Sequence, residues 1–311
     1  MLLKMKNSNQ RHPVLVTTAA LALALSLSGA ASAQGTYSSP QEAVDALVAS
    51  VKSGSVADIV AVLGPEGQGL ASSGDPVADA SVRERFVSAY DEAHQLHKFG
   101  DEPLTLYIGH EDFPFPIPLV EEAGKWHFDT AAGAEEILDR RIGENELAAI
   151  QVLRSSVDAQ REYAETDHDG KGVQYARRLL SSEGKMDGLY WPTAEGEPES
   201  PLGPLVAEAR SEGYKARQGG PTPYHGYFFR VLSGQGKDAA GGARDYIVHG
   251  RMIGGFGLIA VPAEYANSGV MTFIVNQDGV VYQKDLGPRT GAIASGITAF
   301  DPDTSWSQVL D

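Results

Sequence analysis

The chain has 311 residues, 42% of them hydrophobic, with 25 basic and 41 acidic side chains and no cysteine. Without thiols it can carry no disulfide, cysteine zinc site, iron–sulfur cluster or cysteine nucleophile, so its stability rests on a hydrophobic core alone. A formal net charge of −16 disfavours a phosphate backbone or an anionic lipid surface as partner and points instead to a well-solvated exterior.

Lys4, Lys6 and Arg11 precede an apolar run over residues 14–27, and Ala31, Ser32 and Ala33 follow it. This is the layout of a secretory signal cleaved after Ala33, because the run is shorter than the ~20 residues that cross a bilayer. Removing residues 1–33 takes away three positive charges and no negative ones, moving the net charge from −16 to −19. The expected product is a periplasmic or secreted bacterial protein with no membrane insertion after cleavage.

Ser39, Pro40 and Glu42 form a capping-box helix start, and Ala43, Val44, Leu47, Val48 and Val51 recur at helical spacing up to Gly54. A short apolar segment over residues 56–63 follows. Asp75 and Pro76 then open a third helix through Val77, Val82, Phe86 and Tyr90. Residues 104–108, 117–120 and 126–128 read as strands, with Glu122, Ala123 and Gly124 as the turn between the last two. Phe113 to Pro118, with proline at every second position, is extended and suits a sheet edge or a pocket mouth.

Helical periodicity returns at Ala134, with an interruption expected at Gly143. Leu147, Ile150, Leu153, Val157 and Ala164 then form one apolar stripe. Residues 173–180 read as a short amphipathic segment, and 191–204 as a Pro/Gly/Glu-rich connection. Strands are expected over 224–232, 246–249, 256–261, 271–275 and 280–284, with an Asp278–Gly279 hairpin turn between the last two. The fold class is therefore α+β, with an N-terminal domain over residues 34–132 and a C-terminal domain over 133–311.

The phrases Gly188 to Pro192, Tyr224 to Arg230 and Gly269 to Gly287 resemble the bacterial exported family called domain of unknown function 2950. That resemblance implies export and architecture but no activity. Three helices followed by a curved antiparallel sheet, with the phrase Gly124 to Asp129 on a late strand, resemble the nuclear-transport-factor-like cone, which implies a pocket. The long helix, the Gly226-Tyr227-Phe228 phrase and the strand through Thr272 to Val280 are similar to type IV pilin-like heads, though without the apolar extension through which pilins polymerise.

Candidate chemistry is sparse. Asp167, Asp169, Gly170 and Gly172 resemble the start of a calcium loop, but its fifth and twelfth positions would be Lys171 and Arg178, so a helix-terminating turn is preferred. His94 and His97 lie three apart on what reads as a solvated helix face. Ser182 and Lys185 have serine-nucleophile spacing but no following helix, and Gly254-Gly255-Phe256-Gly257 opens a strand rather than a phosphate-binding helix. No metal or cofactor is called for.

One polar group stands out: Tyr224, His225, Tyr227 and Arg230 on one strand, Arg244, His249 and Arg251 around the next, and Glu264, Tyr265 and Asn267 beyond. His225 and Tyr227 should share a face, with Arg230 opposite. Read functionally, the group is a polar cleft whose arginine holds a carboxylate or sugar-linked acid. Cross-strand packing with salt bridges at the sheet rim is the preferred account. The leading expectation is thus a non-enzymatic exported protein that binds an envelope protein or a cell-wall component. The alternatives are a hydrolase or wall-modifying enzyme using His225 or His249 with Glu264, and small-ligand binding in the N-terminal cone.

Overall fold

A computed structural model describes residues 34–215 and 221–310, so the expected signal segment and its expected cleavage after Ala33 lie outside the described residues. The class is α+β. Helix α1 (Pro40–Ser53) begins at Ser39, whose hydroxyl accepts from the Glu42 amide at 3.2 Å, and ends at Gly54 in the left-handed conformation. Ser55 caps α2 (Val56–Leu63), a short turn leads to α3 (Gln68–Ala71), and Asp75 caps α4 (Pro76–Glu92).

Strands β1 (His94–His97), β2 (Thr105–Ile108) and β3 (Phe113–Pro114) form an antiparallel sheet, and β4 (Leu119–Glu122) pairs with β5 (Lys125–Phe128). The Ala123–Gly124 turn has positive φ at both positions, as a tight hairpin of this twist requires. A bridge between Leu104 and Leu119 links the two sheets. His94 and His97 lie on β1, not on a helix: α4 stops at Glu92, and the chain turns back to pair Leu96 with Leu106.

Helix α5 (Thr130–Tyr163) runs 34 residues without a break at Gly143. Its first half meets the N-terminal core, where Ile137 packs beside Leu47, Ile59, Leu106 and Phe128. In its second half, Ala149, Ile150, Leu153 and Val157 lie against the C-terminal sheet. Leu147 is 68% exposed rather than part of that stripe, because six residues at about 100° each set it roughly 120° away from Leu153.

Residues 173–180 form an irregular segment instead of a helix, since Tyr175 donates its amide to Met252 and Leu180 bridges to Tyr190. Short α6 (Gly203–Ser211) follows. Next come β6 (Tyr227–Leu232), β7 (Gly234–Gln235), β8 (Arg244–Asp245), β9 (Ile247–Val248), β10 (Arg251–Met252), β11 (Gly257–Pro262), β12 (Met271–Asn276) and β13 (Tyr282–Asp285). Helix α7 (Thr290–Ser295), β14 (Ala299–Phe300) and β15 (Ser307–Gln308) complete the described chain.

The main sheet has the antiparallel order β15-β13-β12-β11-β6, so β6 is an edge strand. Phe256, Leu258, Ala260, Phe273 and Val275 face α5, whereas Leu232, Ile259 and Ile274 pack towards Ala294 of α7 on the other side. The period of two in these strands is what covers both faces.

The β11–β12 loop ties the sheet to α5 and to the N-terminal helices. Asn145 donates to the Ser268 carbonyl at 2.9 Å, and Glu146 accepts from the amides of Val270 and Met271 at 2.9 Å each. Arg141 reaches Asn267 Oδ1 at 2.6 Å and the carbonyls of Gly69 and Leu70 at 2.8 and 2.7 Å. Burial pulls the Arg141 guanidinium below its ordinary range, against the opposing influence of Asp79 and Glu264.

Candidate functional site

A cavity of about 620 Å³ opens where α4, the β3 segment, the middle of α5 and the 212–225 segment meet. Its floor is apolar, from Val82, Phe86, Phe115 and Ile137. A smaller chamber of about 110 Å³ continues inward between those side chains and Leu47, Ile59 and Leu63. Phe86 and Phe115 meet edge-on at 5.5 Å, so the floor is a packed aromatic pair. Extended Phe113–Pro116 forms the sheet edge at β3 and lines the cavity.

Charge enters at the rim. Arg85 donates to Ser81 at 3.1 Å, and Arg140 pairs with Glu136 and lies 4.8 Å from the Phe113 ring. Arg141, Asp79, Glu144 and Glu212 complete the ionisable lining with His225, beside which lies the Tyr214 phenol. His225 Nε2 is 3.3 Å from Glu212 Oε2, with both side chains about one-third exposed.

His225 is not on a strand. Tyr224 and Tyr227 exchange two backbone hydrogen bonds, and His225 and Gly226 between them have φ of 47° and 70°, forming a tight turn at the end of β6. The turn re-aims the imidazole towards the cavity and away from the Tyr227 face. Tyr227 itself is fully buried, and its hydroxyl donates to the Met271 carbonyl at 2.9 Å, so it supports the sheet and cannot touch a partner. Burial is the largest cause of its raised phenol pKa, followed by Glu146.

The other residues singled out in the sequence disperse. Arg230 does point to the face opposite Tyr227, where its guanidinium holds the Ala294 and Ile297 carbonyls at 3.0 and 2.8 Å. His249 occupies the exposed β9–β10 turn with φ of 49°, since Gly250 and a two-residue loop take the place of further strand. Arg251 donates to the Val173 carbonyl at 3.0 Å. Arg244 lies 5.9 Å from the Tyr246 ring, and Tyr265 donates to Asp285 at 3.3 Å.

Glu264 and Asn267 belong to the loop that ties the halves together. Asn267 donates to Glu264 and to the Ser72 carbonyl, both at 2.8 Å. The group is therefore dispersed, and of its ten residues only His225 lines the cavity. Its carboxylate partner is Glu212 rather than Glu264.

Asp167 accepts from the backbone amides of Asp169, Lys171 and Gly172, a turn stabilised by its own chain just past α5. Those amides hold its carboxyl below the usual range, Gly172 contributing most. Among the described residues no three His, Asp or Glu side chains gather as metal ligands would, and no helix is long and apolar enough to cross a membrane.

The cavity lining comes from segments more than a hundred residues apart, which is why Arg85, Arg141 and Glu212 were not singled out in the sequence and Phe86 was read only as helix core. The Arg140–Arg141 doublet on a helix and the Phe–Pro run were the available signals.

An α+β protein with a cavity where α4, the β3 segment, α5 and the 212–225 segment meet is the class that these contacts define. Over residues 34–309 the chain matches the model of the family described as protein of unknown function (DUF2950), and it belongs to that family. No curated protein and no solved structure shows a significant match to it.

Proposed function

We propose that this is an exported, non-catalytic binding protein of the bacterial envelope, and that the 620 Å³ cavity holds a carboxylate-bearing envelope component with an apolar portion. One observation carries the reading: an apolar floor leading to an inner chamber, with Arg85 at the rim bound, among the described residues, only to a serine hydroxyl. A ligand with an apolar body and an acidic end satisfies both features, because burial of the body supplies affinity and the guanidinium fixes orientation. The signal-like layout of Lys4, Lys6, Arg11, the apolar run and Ala31 to Ala33 supports the location. The cone-like N-terminal half would then hold the ligand, with the pilin-like helix and sheet as its scaffold.

Calorimetric titration with a graded series of alkyl and phenylalkyl carboxylates tests this. Val82, half-exposed and shared by both chambers, can be enlarged without entering the core. Val82→Trp and Arg85→Glu should each weaken binding at least tenfold, and the matching alcohols should bind no better than the variants do. Equal binding by wild type and Val82→Trp would refute the site.

The His225–Glu212 contact favours a second reading, in which the carboxylate orients the imidazole as a general base for hydrolysis. A turnover that Glu212→Gln removes while carboxylate binding persists would establish it.

A further inference from the structure

We infer a second binding surface at the free edge of β6, where an acidic, extended peptide segment of a partner protein adds as a sixth strand. Tyr227 directs both backbone polar groups away from β11, since they bond to Tyr224. Ser233 likewise bonds outward, to Thr298. Antiparallel pairing alternates the direction of N–H and C=O at every residue, so Phe229 and Val231 face outward too. Among the described residues nothing pairs with their amides or carbonyls, which leaves four backbone groups as a template for another strand.

A groove of about 520 Å³ runs beside this edge, between β6, α6 and the 177–180 segment. Leu180, Leu205, Val206 and Phe229 give it an apolar wall, and Leu180 is 54% exposed. Arg177, Arg178, Arg210 and Lys215 line it with no carboxylate among its lining residues, in a chain whose acidic groups outnumber its basic ones by 41 to 25.

Arg177 touches only the Gly250 carbonyl, at 3.4 Å, and Arg210 lies 5.2 Å from the Tyr190 ring, neither with an ion pair among the described residues. Arg178 is partly engaged, 3.7 Å from Asp187. Arg230, also at this edge, turns its guanidinium behind the sheet and takes no part. Main-chain pairing would supply affinity, and the alternate side chains that face the groove, apolar and acidic in turn, would meet its apolar wall and its arginines.

The probe is a nine-residue synthetic peptide carrying Val and Glu in turn at its odd positions and Thr at its even positions, titrated into the full chain by fluorescence anisotropy and followed by amide hydrogen exchange. Binding should protect the Phe229 and Val231 amides and weaken at least tenfold when alternate peptide nitrogens are methylated. It should also weaken on replacing Glu by Lys, and at least fivefold with Arg210→Glu. Val231→Pro removes an outward N–H that β11 does not use, a position where an edge strand tolerates proline, and should also weaken binding. Three results would overturn the proposal: no binding of the acidic peptide, equal binding of the methylated or Lys peptide, or protection at other amides only. Self-association of the unliganded chain that protects Phe229 and Val231 would assign the edge to a second copy instead, and would overturn it equally.

Discussion

The carboxylate of Asp75 caps α4 with one oxygen and, with the other, accepts from the Tyr214 hydroxyl at 3.0 Å and the Gly226 amide at 2.9 Å. It thereby joins segments 139 and 151 residues apart, and it is fully buried. The same contacts position the turn that carries His225 at the cavity, since the Tyr214 oxygen also accepts from the His225 amide at 3.2 Å. One side chain thus sets both the fold and the cavity wall.

Asp75→Ala removes the cap and strands a buried amide and a buried hydroxyl. A lost cap costs about 1 kcal/mol and hydrogen bonds to a charged group about 1.5–3 kcal/mol each. The expected loss is about 4–7 kcal/mol in urea unfolding. A midpoint within about 1 kcal/mol of wild type would show that the two halves are held together by other contacts.

How much of this was legible depends on the range of the interaction. Ser39, Gly54, Asp75 and the Ala123–Gly124 turn act within a few residues, and the sequence reading places each correctly. The stripe through Ile150, Leu153 and Val157 has a period that only a helix satisfies. His225 and His249 were read as strand residues because they stand in apolar, β-branched or aromatic surroundings, yet each precedes a glycine in a two-residue turn with positive φ. His-Gly is a weaker turn signal than Asn-Gly or Asp-Gly. Asp75 reads as a local helix cap, and nothing nearby in sequence announces its second partner set. The cavity depends on such long-range contacts throughout, so composition and period do not reveal it.

Five tyrosines make the fold sensitive to alkali. Burial is the largest cause in each case: it pushes the Tyr163 and Tyr246 phenols up to about 12 and those of Tyr214, Tyr224 and Tyr227 upward as well. A phenol with a folded pKa above its unfolded value near 10 keeps its proton in the native state while the unfolded chain has lost it. Its contribution is intact below pH ~10 and falls as pH rises towards the folded value, by about 1.4 kcal/mol per pH unit for each such group. Between pH 10 and 12 the chain should unfold cooperatively, with phenolate absorbance appearing together with loss of near-ultraviolet circular dichroism. Gradual phenolate formation near pH 10 with the dichroism preserved would mean that these hydroxyls are solvated.

Two glycines in α5 should respond oppositely to the same substitution. Alanine is favoured over glycine inside a helix by about 1 kcal/mol, so propensity alone predicts a gain at both positions. A Cβ at Gly143 would meet nothing within 4 Å, and neither position has a positive φ, so Gly143→Ala should stabilise the chain by about 0.5–1 kcal/mol. At Gly133 the added carbon would lie 2.3 Å from the Pro116 carbonyl oxygen and 2.7 Å from the Ile117 Cα, backbone atoms of the segment that lines the cavity. Moving that backbone costs more than propensity returns, and overpacking of this kind destabilises by about 1–3 kcal/mol. Gly133→Ala should therefore lower stability and weaken carboxylate binding together, whereas Gly143→Ala raises stability and leaves binding unchanged. Unfolding midpoints and calorimetry on the two variants decide it. A loss of affinity in Gly143→Ala would make Gly143 a hinge that the cavity needs, and a stability gain in Gly133→Ala would show that the Pro116 segment yields to the helix.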